Sequence, residues 1–430
     1  IRADVKTALE TPAERRTEVQ KYLASKFATT LTVKPAEVSA ALGKADKAAV
    51  AELEGKIAAT EARRRKWGKI QALYDIGTPP ATHLLIRGSE ETPGPEVPPG
   101  FLRVLCRSEG DALATVGPTI EGTSGRRTAL AHWLTNPESP ASSLAARVMV
   151  NRVWEHLFGR GIVATPENFG AQGLPPSHPE LLEWLSSEFV ASGWRIKPLI
   201  KLLMTSTAYR QASRRGAAVG SPGMADPDSL DPGNELLWRM RLRRLESESV
   251  RDAILAVSGD LNRAAGGPPI PIHAQADGMV VVAKDRLARP ADQWRRSVYL
   301  IARRAYNLSL LTVFDQPMVA TNCLRRDASA VPLQSLVMLN DAFLAEQAEH
   351  FANRVERHAA SSPTARILAA FRLALARRPN AKEEAMCQEL LRKQAALGRS
   401  AGMSREVAAH KALVQLCHAL LNTSEFLYVE

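Results

Sequence analysis

Helix-like periodicity over residues 126–422 constrains the fold more than any other feature of this sequence. Apolar side chains recur there every three or four residues, and Gly or Pro stands at several of the joins between segments. The pattern predicts helices near 126–135, 142–159, 178–191, 197–207, 234–259, 332–339, 341–358, 364–377, 381–396 and 404–422. It indicates a mainly α fold class: a multi-helix globular module with a few short β-strands.

Only short stretches of the chain favour strands. Residues 83–88 (HLLIRG), 279–283 (MVVVA) and 297–302 (SVYLIA) combine apolar and β-branched side chains in runs of strand length. Residues 89–100 (SEETPGPEVPPG) are so rich in Pro and Gly that we predict no regular structure there, only a linker or an extended wrap over a surface.

At 430 residues the chain is long for a single domain. We predict a charged helical linker region over 1–75, the C-terminal remnant of a preceding domain, with helices near 11–28 and 46–67. An extended Pro/Gly-rich junction follows over 76–120. A helical domain then covers 121–430, and the Gly-, Pro-, Ser- and Asp-rich loop at 214–233 can split it into two sub-blocks.

The apolar runs and the first residues of the sequence bear on where the protein is located. No apolar run approaches the ~20 residues that cross a bilayer, so no transmembrane segment is predicted. The first residues, IRADVKTALE, lack the basic start and apolar core of a signal peptide. Because a natural chain begins with Met, we expect Ile1 to mark a cut in a longer protein.

The formal net charge is +11, and arginine supplies most of the positive charge. Two explanations remain open: the codon bias of a GC-rich genome, or a surface that meets anionic ligands. Arginine suits carboxylate, phosphate and sulfate because its planar fork binds them with two hydrogen bonds. Nucleic acid is disfavoured as a partner, since the basic residues are spread out and interleaved with acidic ones.

The segment 148–161 (VMVNRVWEHLFGRG) is amphipathic. On a helical wheel, Met149, Val150, Val153, Trp154, Leu157 and Phe158 share one half, and Arg147, Asn151, Arg152, Glu155 and His156 share the other. The polar half is either a hydrogen-bonded structural face or part of a site. The ligand-binding candidates from this segment are Asn151 and Arg152, and the catalytic candidates are Glu155 and His156.

Three arginine-rich motifs, 239–253, 294–304 and 323–329, supply the other candidates. Their arginines either pair with carboxylates inside the fold or form an anion pocket from Arg244, Arg296 and Arg325. If 234–259 is helical, Arg244 and Glu248 are i,i+4 neighbours. The remaining catalytic candidates are Asp252 and Glu180, and Glu180 also completes a predicted capping box with Ser177.

Familiar cofactor and catalytic motifs are missing from the sequence. It contains no HExxH, GxSxG, GxGxxG, Walker loop or CxxCH, so we predict no metal and no cofactor held by this chain. His132, His156 and His178 remain an open alternative, as three histidines that could converge in space. The four cysteines, Cys106, Cys323, Cys387 and Cys417, have no metal-ligand spacing and leave one long-range disulfide open.

Several long segments together carry a family resemblance: 147–185, 202–213, 236–259, 295–304 and 416–430. They resemble the planctomycete-type cytochrome c-associated proteins, and more narrowly their C-terminal module, domain of unknown function 1553 (the planctomycete-specific domain). The likeness runs from about residue 120 to the end. Residues 83–100 also resemble the junction that precedes this module.

The resemblance implies an extracytoplasmic or periplasmic protein, with haem c only in an N-terminal domain that this chain lacks. It also implies, by association with secreted sulfatases and polysaccharide-degrading systems, a connection to anionic carbohydrate. The leading hypothesis is an accessory module that binds or processes anionic polysaccharide. The alternatives are a hydrolase with a Glu/His acid–base pair and a non-catalytic assembly domain.

Overall fold

A computed structural model of the chain describes residues 2–31, 38, 40–64, 72–74, 79–112, 122–214, 226–318, 323–359 and 362–429. Helices dominate these residues and the strands are two to four residues long, so the predicted mainly α fold class is confirmed. The chain divides into two compact units, Ile1–Gln71 and Ala72–Glu430.

The first unit contains α1 (Arg2–Glu10), α2 (Glu18–Leu31) and α3 (Lys44–Arg63). The helix predicted from residue 11 instead begins at Glu18, because a 3-10 turn over Ala13–Arg15 precedes it. On α3 no side chain is buried, as expected for the solvated, charged face that its sequence predicts.

The second unit opens with a small antiparallel hairpin of β1 (His83–Leu85) and β2 (Pro93–Glu96). The prediction that 89–100 has no regular structure is therefore wrong at β2. The chain reverses between the strands through Arg87 and Gly88, whose φ angles are 54° and 77°. Both residues adopt the left-handed conformation that a tight reversal needs.

A first helical layer contains α4 (Arg126–Thr135), α5 (Pro140–Phe158), α6 (Pro179–Ala191) and α7 (Ile196–Met204). Pro stands at the first positions of α5 and α6, where its missing N–H costs nothing. The apolar faces of α5, α6 and α7 share one core, made largely of Ala146, Val150, Trp154, Phe158, Leu182, Leu185, Phe189, Leu199 and Leu203.

The later elements follow, and most of them contribute to a second core. They are α8 (Pro227–Leu230), β3 (Arg243–Arg244), α9 (Ser247–Ser258), β4 (Ile272–Ala274), β5 (Val280–Val282), α10 (Ser309–Val313), α11 (Pro332–Asn340), α12 (Ala342–His358), α13 (Pro363–Leu375), α14 (Ala381–Ser400), α15 (Arg405–Leu421), α16 (Ser424–Leu427) and β6 (Tyr428–Val429). Strand β3 pairs antiparallel with β6, and β4 pairs antiparallel with β5. Helices α9, α12, α13 and α15 supply most of the buried apolar side chains of this core.

Two predictions fail in this unit. Residues 234–246 are not helical: Asn234 and Leu237 have φ angles of 48° and 54°, and the extended stretch that follows ends in β3. The Arg244–Glu248 pair is therefore not on one helix. Residues 297–302 do not form a sheet strand but a 3-10 turn, with a single bridge between Ile270 and Leu300. The strand predicted at 279–283 is confirmed as β5.

Candidate functional site

Asn151 is a structural residue and faces no solvent. Its Nδ2 donates to the Val163 carbonyl at 3.0 Å, and its Oδ1 accepts from the Val163 N–H at 2.8 Å. The chain turns back over α5 after Gly159, whose φ of 81° suits the end of a helix. The wheel placed Asn151 on a polar outer face, but this returning segment covers it.

Arg244 is also structural, with only 5% of its side chain exposed. Its Nη1 donates to the Ser329 carbonyl (2.6 Å), and its Nη2 donates to the Phe314 carbonyl (3.0 Å) and to Asp315 Oδ2 (2.8 Å). Asp315 in turn accepts from the Ser329 N–H at 2.8 Å. Arg244 therefore anchors the loop that carries Arg325. All three of these hydrogen bonds serve the fold.

Asp252 and Arg296 form a separate pair. Arg296 Nε lies 3.3 Å from Asp252 Oδ2, and Asp252 Oδ1 accepts from the Ser297 N–H at 2.7 Å. The predicted pocket of Arg244, Arg296 and Arg325 is therefore not formed, because the Arg296 guanidinium is committed to Asp252 and that of Arg244 is buried. Within the described residues, no contact joins Asp252 or Arg296 to Glu155.

Glu180 is exposed in the first turn of α6. The predicted capping box is absent: His178 is the N-cap residue, and its side chain makes no cap hydrogen bond. Ser177 Oγ lies 2.9 Å from His178 Nδ1 instead. Among the residues that the structure describes, Glu180 therefore has no side-chain partner that would support a catalytic role.

Glu155, by contrast, has a group of charged side chains around it. The carboxyl is half-buried, and the charges of His156, Arg325 and Arg152 act on it. Burial raises its pKa more than these cations lower it. Within the described residues no group donates a hydrogen bond to this carboxyl, and Arg152 and Arg325 have no hydrogen bond of their own.

Glu246 joins the same group through His156. His156 Nδ1 lies 3.6 Å from Glu246 Oε1, and this interaction, followed by that of Arg326, holds the pKa of Glu246 below its usual value. Arg326 also donates to Glu248, with Nη2 and Oε1 3.0 Å apart. We call Arg152, Glu155, His156, Glu246 and Arg325 the Glu155 cluster.

A small cavity of about 240 Å³ lies at the end of α5. Its lining includes Trp154, Arg160, His178, Glu235 and Arg241, and we call it the arginine cavity. Arg160 Nη1 lies 3.1 Å from Glu235 Oε1. Burial, and next the charge of Arg160, lowers the pKa of Arg241. Two guanidinium groups therefore share one hollow with one carboxylate on its wall.

Arg241 is fixed in this cavity by the backbone. Its Nη2 donates to the carbonyls of Gly233 at 3.0 Å and Asn234 at 2.7 Å. No fixed partner beyond these two carbonyls is recorded for it in the described part of the chain. The guanidinium is thus held in place while it keeps donors for a further acceptor.

The extended stretch 235–246 connects the arginine cavity to the Glu155 cluster. It contacts Arg160 through Glu235, and it contacts His156 through Glu246. Between them, Arg243 Nη1 donates to the His156 carbonyl at 2.6 Å. A Cβ on Gly159 would lie 2.5 Å from Arg243 Cδ, so glycine is required for this close approach. We call the cavity and the cluster together the polar belt.

Sequence reasoning found the Glu155 cluster only in part and missed the arginine cavity. Glu155, His156, Arg152 and Arg325 were predicted, and the structure brings these four together. Arg160 and Arg241 were not singled out, although each stands in a signature segment. A Gly-Arg-Gly sequence that ends a helix was the available signal, since it exposes an arginine at a chain reversal.

Other predicted features were less informative. Among the described residues, no group of three or more His, Cys, Asp or Glu side chains is placed to hold a metal ion, so His132, His156 and His178 do not converge on one. The four cysteines are free thiols, and burial raises the pKa of Cys417. In the described part of the chain no helix is long and apolar enough to cross a bilayer.

The fold and the site define a mainly α-helical globular module with a belt of arginine, glutamate and histidine side chains. The family model PSD1, described as a protein of unknown function (DUF1553), matches residues 126–391, and the chain belongs to this family. That match confirms the predicted domain of unknown function, and the matched residues contain the whole polar belt. No curated protein and no solved structure matches the chain.

Proposed function

We propose that this chain binds anionic carbohydrate along the polar belt, with the sulfate or carboxylate group of the sugar in the arginine cavity. One observation carries the proposal: Arg160 and Arg241, far apart in sequence, line the same small cavity. A planar guanidinium binds a sulfate or carboxylate with two parallel hydrogen bonds, and two such groups together favour an oxyanion over a neutral ligand.

Electrostatics support this use of the cavity. Burial and the nearby charge of Arg160 destabilise the charged form of Arg241 and so lower its pKa. A bound anion relieves both effects, because it supplies the opposite charge where the two cations repel. Glu235 pairs with Arg160, and the charges of Asp231 and Glu235 offset only part of the effect of burial on Arg241.

The rest of the belt suits a sugar chain. Carboxylates and histidine accept hydrogen bonds from hydroxyl groups, and Glu155 has no such bond within the described residues. Arg152 and Arg325 lie beside Glu155, and their guanidinium groups donate to no acceptor among the described residues. In a saccharide of several units, the anionic group can therefore accept hydrogen bonds from the arginines of the cavity. The sugar hydroxyl groups can donate hydrogen bonds to the carboxylates of the neighbouring cluster.

Titration of a size-defined, sulfated oligosaccharide by calorimetry in moderate salt tests this proposal. We expect saturable binding to the intact chain and a Kd roughly 10- to 150-fold weaker for Arg160→Gln, since one charge-assisted pair contributes roughly 1.5–3 kcal/mol. The matched control is Arg399→Gln, which removes the same charge from an exposed site on α14. No saturable binding of sulfated or uronic-acid glycans, or an equal loss in the control, would contradict the proposal.

A second candidate function is hydrolysis of the bound glycan, with Glu155 as general acid. Burial raises the pKa of Glu155, while the interaction with His156 lowers the pKa of Glu246. Two carboxyls whose pKa values are shifted in opposite directions can divide the acid and base roles in cleavage of a glycosidic bond. In that reaction Glu155 gives its proton to the leaving oxygen, and Glu246 takes a proton from the attacking water.

The resemblance noted from the sequence adds two further proposals about context. We propose that the chain works outside the cytoplasm, and that it acts beside a cytochrome c-like domain that carries haem c. Both rest on the likeness to planctomycete-type cytochrome c-associated proteins.

A further inference from the structure

A second cavity, of about 650 Å³, lies on the other helical core and shares no lining residue with the polar belt. The β4–β5 hairpin, the segment 293–294 and the start of α12 enclose it. Its apolar lining includes Val280, Val282, Trp294, Leu308 and Phe343. Cavities of a few hundred cubic ångströms with apolar walls are typical of small-molecule sites.

A buried cation lies at this cavity. Arg251 lines it, and only 2% of the Arg251 side chain is exposed. Its Nη1 donates to the Arg295 carbonyl (2.9 Å) and Ser297 Oγ (3.3 Å), and its Nη2 donates to the Gln293 carbonyl (2.7 Å). Burial lowers its pKa to about 10, so it stays charged at neutral pH.

The charge of Arg251 is poorly balanced by the protein. Asp252 Oδ1 lies 4.0 Å from Nη1, beyond hydrogen-bond distance, and Asp252 also faces Arg296. A buried cation without a bonded carboxylate is costly, and a bound anion would lower that cost.

Two polar atoms of the lining lack hydrogen bonds. Gln293 Oε1 and His273 Nδ1 are buried, and neither forms a hydrogen bond with the part of the chain that the structure describes. Such unpaired groups are rare in proteins because each costs on the order of 1–3 kcal/mol. Small side-chain rotations would offer both groups to a molecule inside the cavity.

We propose that this cavity binds a small organic acid with an aromatic or similarly apolar body. The body packs among Trp294, Phe343 and the β5 valines, and the acid group faces Arg251. Asp277, Asp285 and Asp341 also line the cavity. Asp277 and Asp285 are exposed to water, where solvent and salt screen their charges, and Asp341 Oδ1 accepts from the Phe343 N–H at 2.7 Å as the N-cap of α12. The buried charge of Arg251 is screened far less. Lys284 and Glu346 both line the cavity and lie 3.3 Å apart as an ion pair, so their charges offset each other.

Fluorescence with 8-anilinonaphthalene-1-sulfonate, an aromatic sulfonate, tests the cavity directly. We expect saturable binding to the full chain, with energy transfer from Trp294 to the probe. Trp294→Phe should reduce that transfer, whereas Trp184→Phe, at a half-exposed position on α6, should not. Ala342→Trp, which fills an exposed position of the lining, should weaken probe binding at least about tenfold while the circular dichroism stays unchanged.

A matched pair of competitors tests the role of the charge. We expect 2-naphthoate to displace the probe at least about tenfold better than 2-naphthalenemethanol, which has the same ring system and no charge. Equal displacement by the two compounds would overturn the assignment of an acid. No saturable binding, or full energy transfer retained in Trp294→Phe together with unchanged binding in Ala342→Trp, would overturn the site itself. Neither result depends on carbohydrate binding at the polar belt.

Discussion

Arg244→Ala is expected to lower the free energy of unfolding by about 3–5 kcal/mol, because it removes the cationic partner of a half-buried carboxylate and three hydrogen bonds at once. Asp315 would keep its charge without Arg244, and the carbonyls of Phe314 and Ser329 would lose their donor. Chemical denaturation at neutral pH measures the change.

Arg296→Ala is the matched control for this prediction. Its side chain is 59% exposed and contacts a single carboxylate, so the loss should be below about 1 kcal/mol. If the two variants lose equal stability, Arg244 is not the anchor of the 323–329 loop. Loss of that anchor should also weaken glycan binding, since the loop carries Arg325.

Glu155→Gln is expected to lower kcat by about 10²–10⁴-fold for any glycan that the chain cleaves, because glutamine cannot give up a proton to the leaving oxygen. The fold should survive, since no hydrogen bond of the described residues ends on the Glu155 carboxyl. Release of reducing ends from a panel of sulfated and uronic-acid glycans measures the activity.

The pH dependence of that activity has a defined sign. A general acid must hold its proton, so activity should fall as pH rises through the pKa of Glu155. Burial raises this pKa, which moves the fall toward higher pH than for an ordinary glutamate. Glu180→Gln, at the exposed start of α6, serves as the control and should keep full activity. Full activity in Glu155→Gln, or no cleavage of any glycan by the intact chain, would contradict the proposal that Glu155 is a general acid. The polar belt would then be a binding site only.

Local signals explain why most helices were predictable. Helix α5 has Ser139 as N-cap, Pro140 at its first position and Gly159 in the left-handed conformation at its end, and all three signals are adjacent to the helix in sequence. The same local reasoning fails at 234–246, where strong helix formers are held extended. Their partner there is β6, at the far end of the chain, so no short window of sequence could indicate the pairing.

The site residues show the same division between local and distant contacts. The wheel correctly placed Arg152, Glu155 and His156 on one face of α5, and the structure gathers Arg325 beside them. Asn151 lies on that face but is covered by Val163, twelve residues further along. Burial of Arg244 depends on Asp315 and Ser329, which periodicity could not place beside it.

Hydrogen–deuterium exchange with and without a saturating sulfated oligosaccharide tests the central claim most directly, because it locates the bound ligand on the chain. The polar belt predicts slower exchange at the backbone amides of 159–162 and 235–241, which border the arginine cavity, and little change over α14. Protection confined to other segments, with 159–162 and 235–241 unaffected, would contradict it.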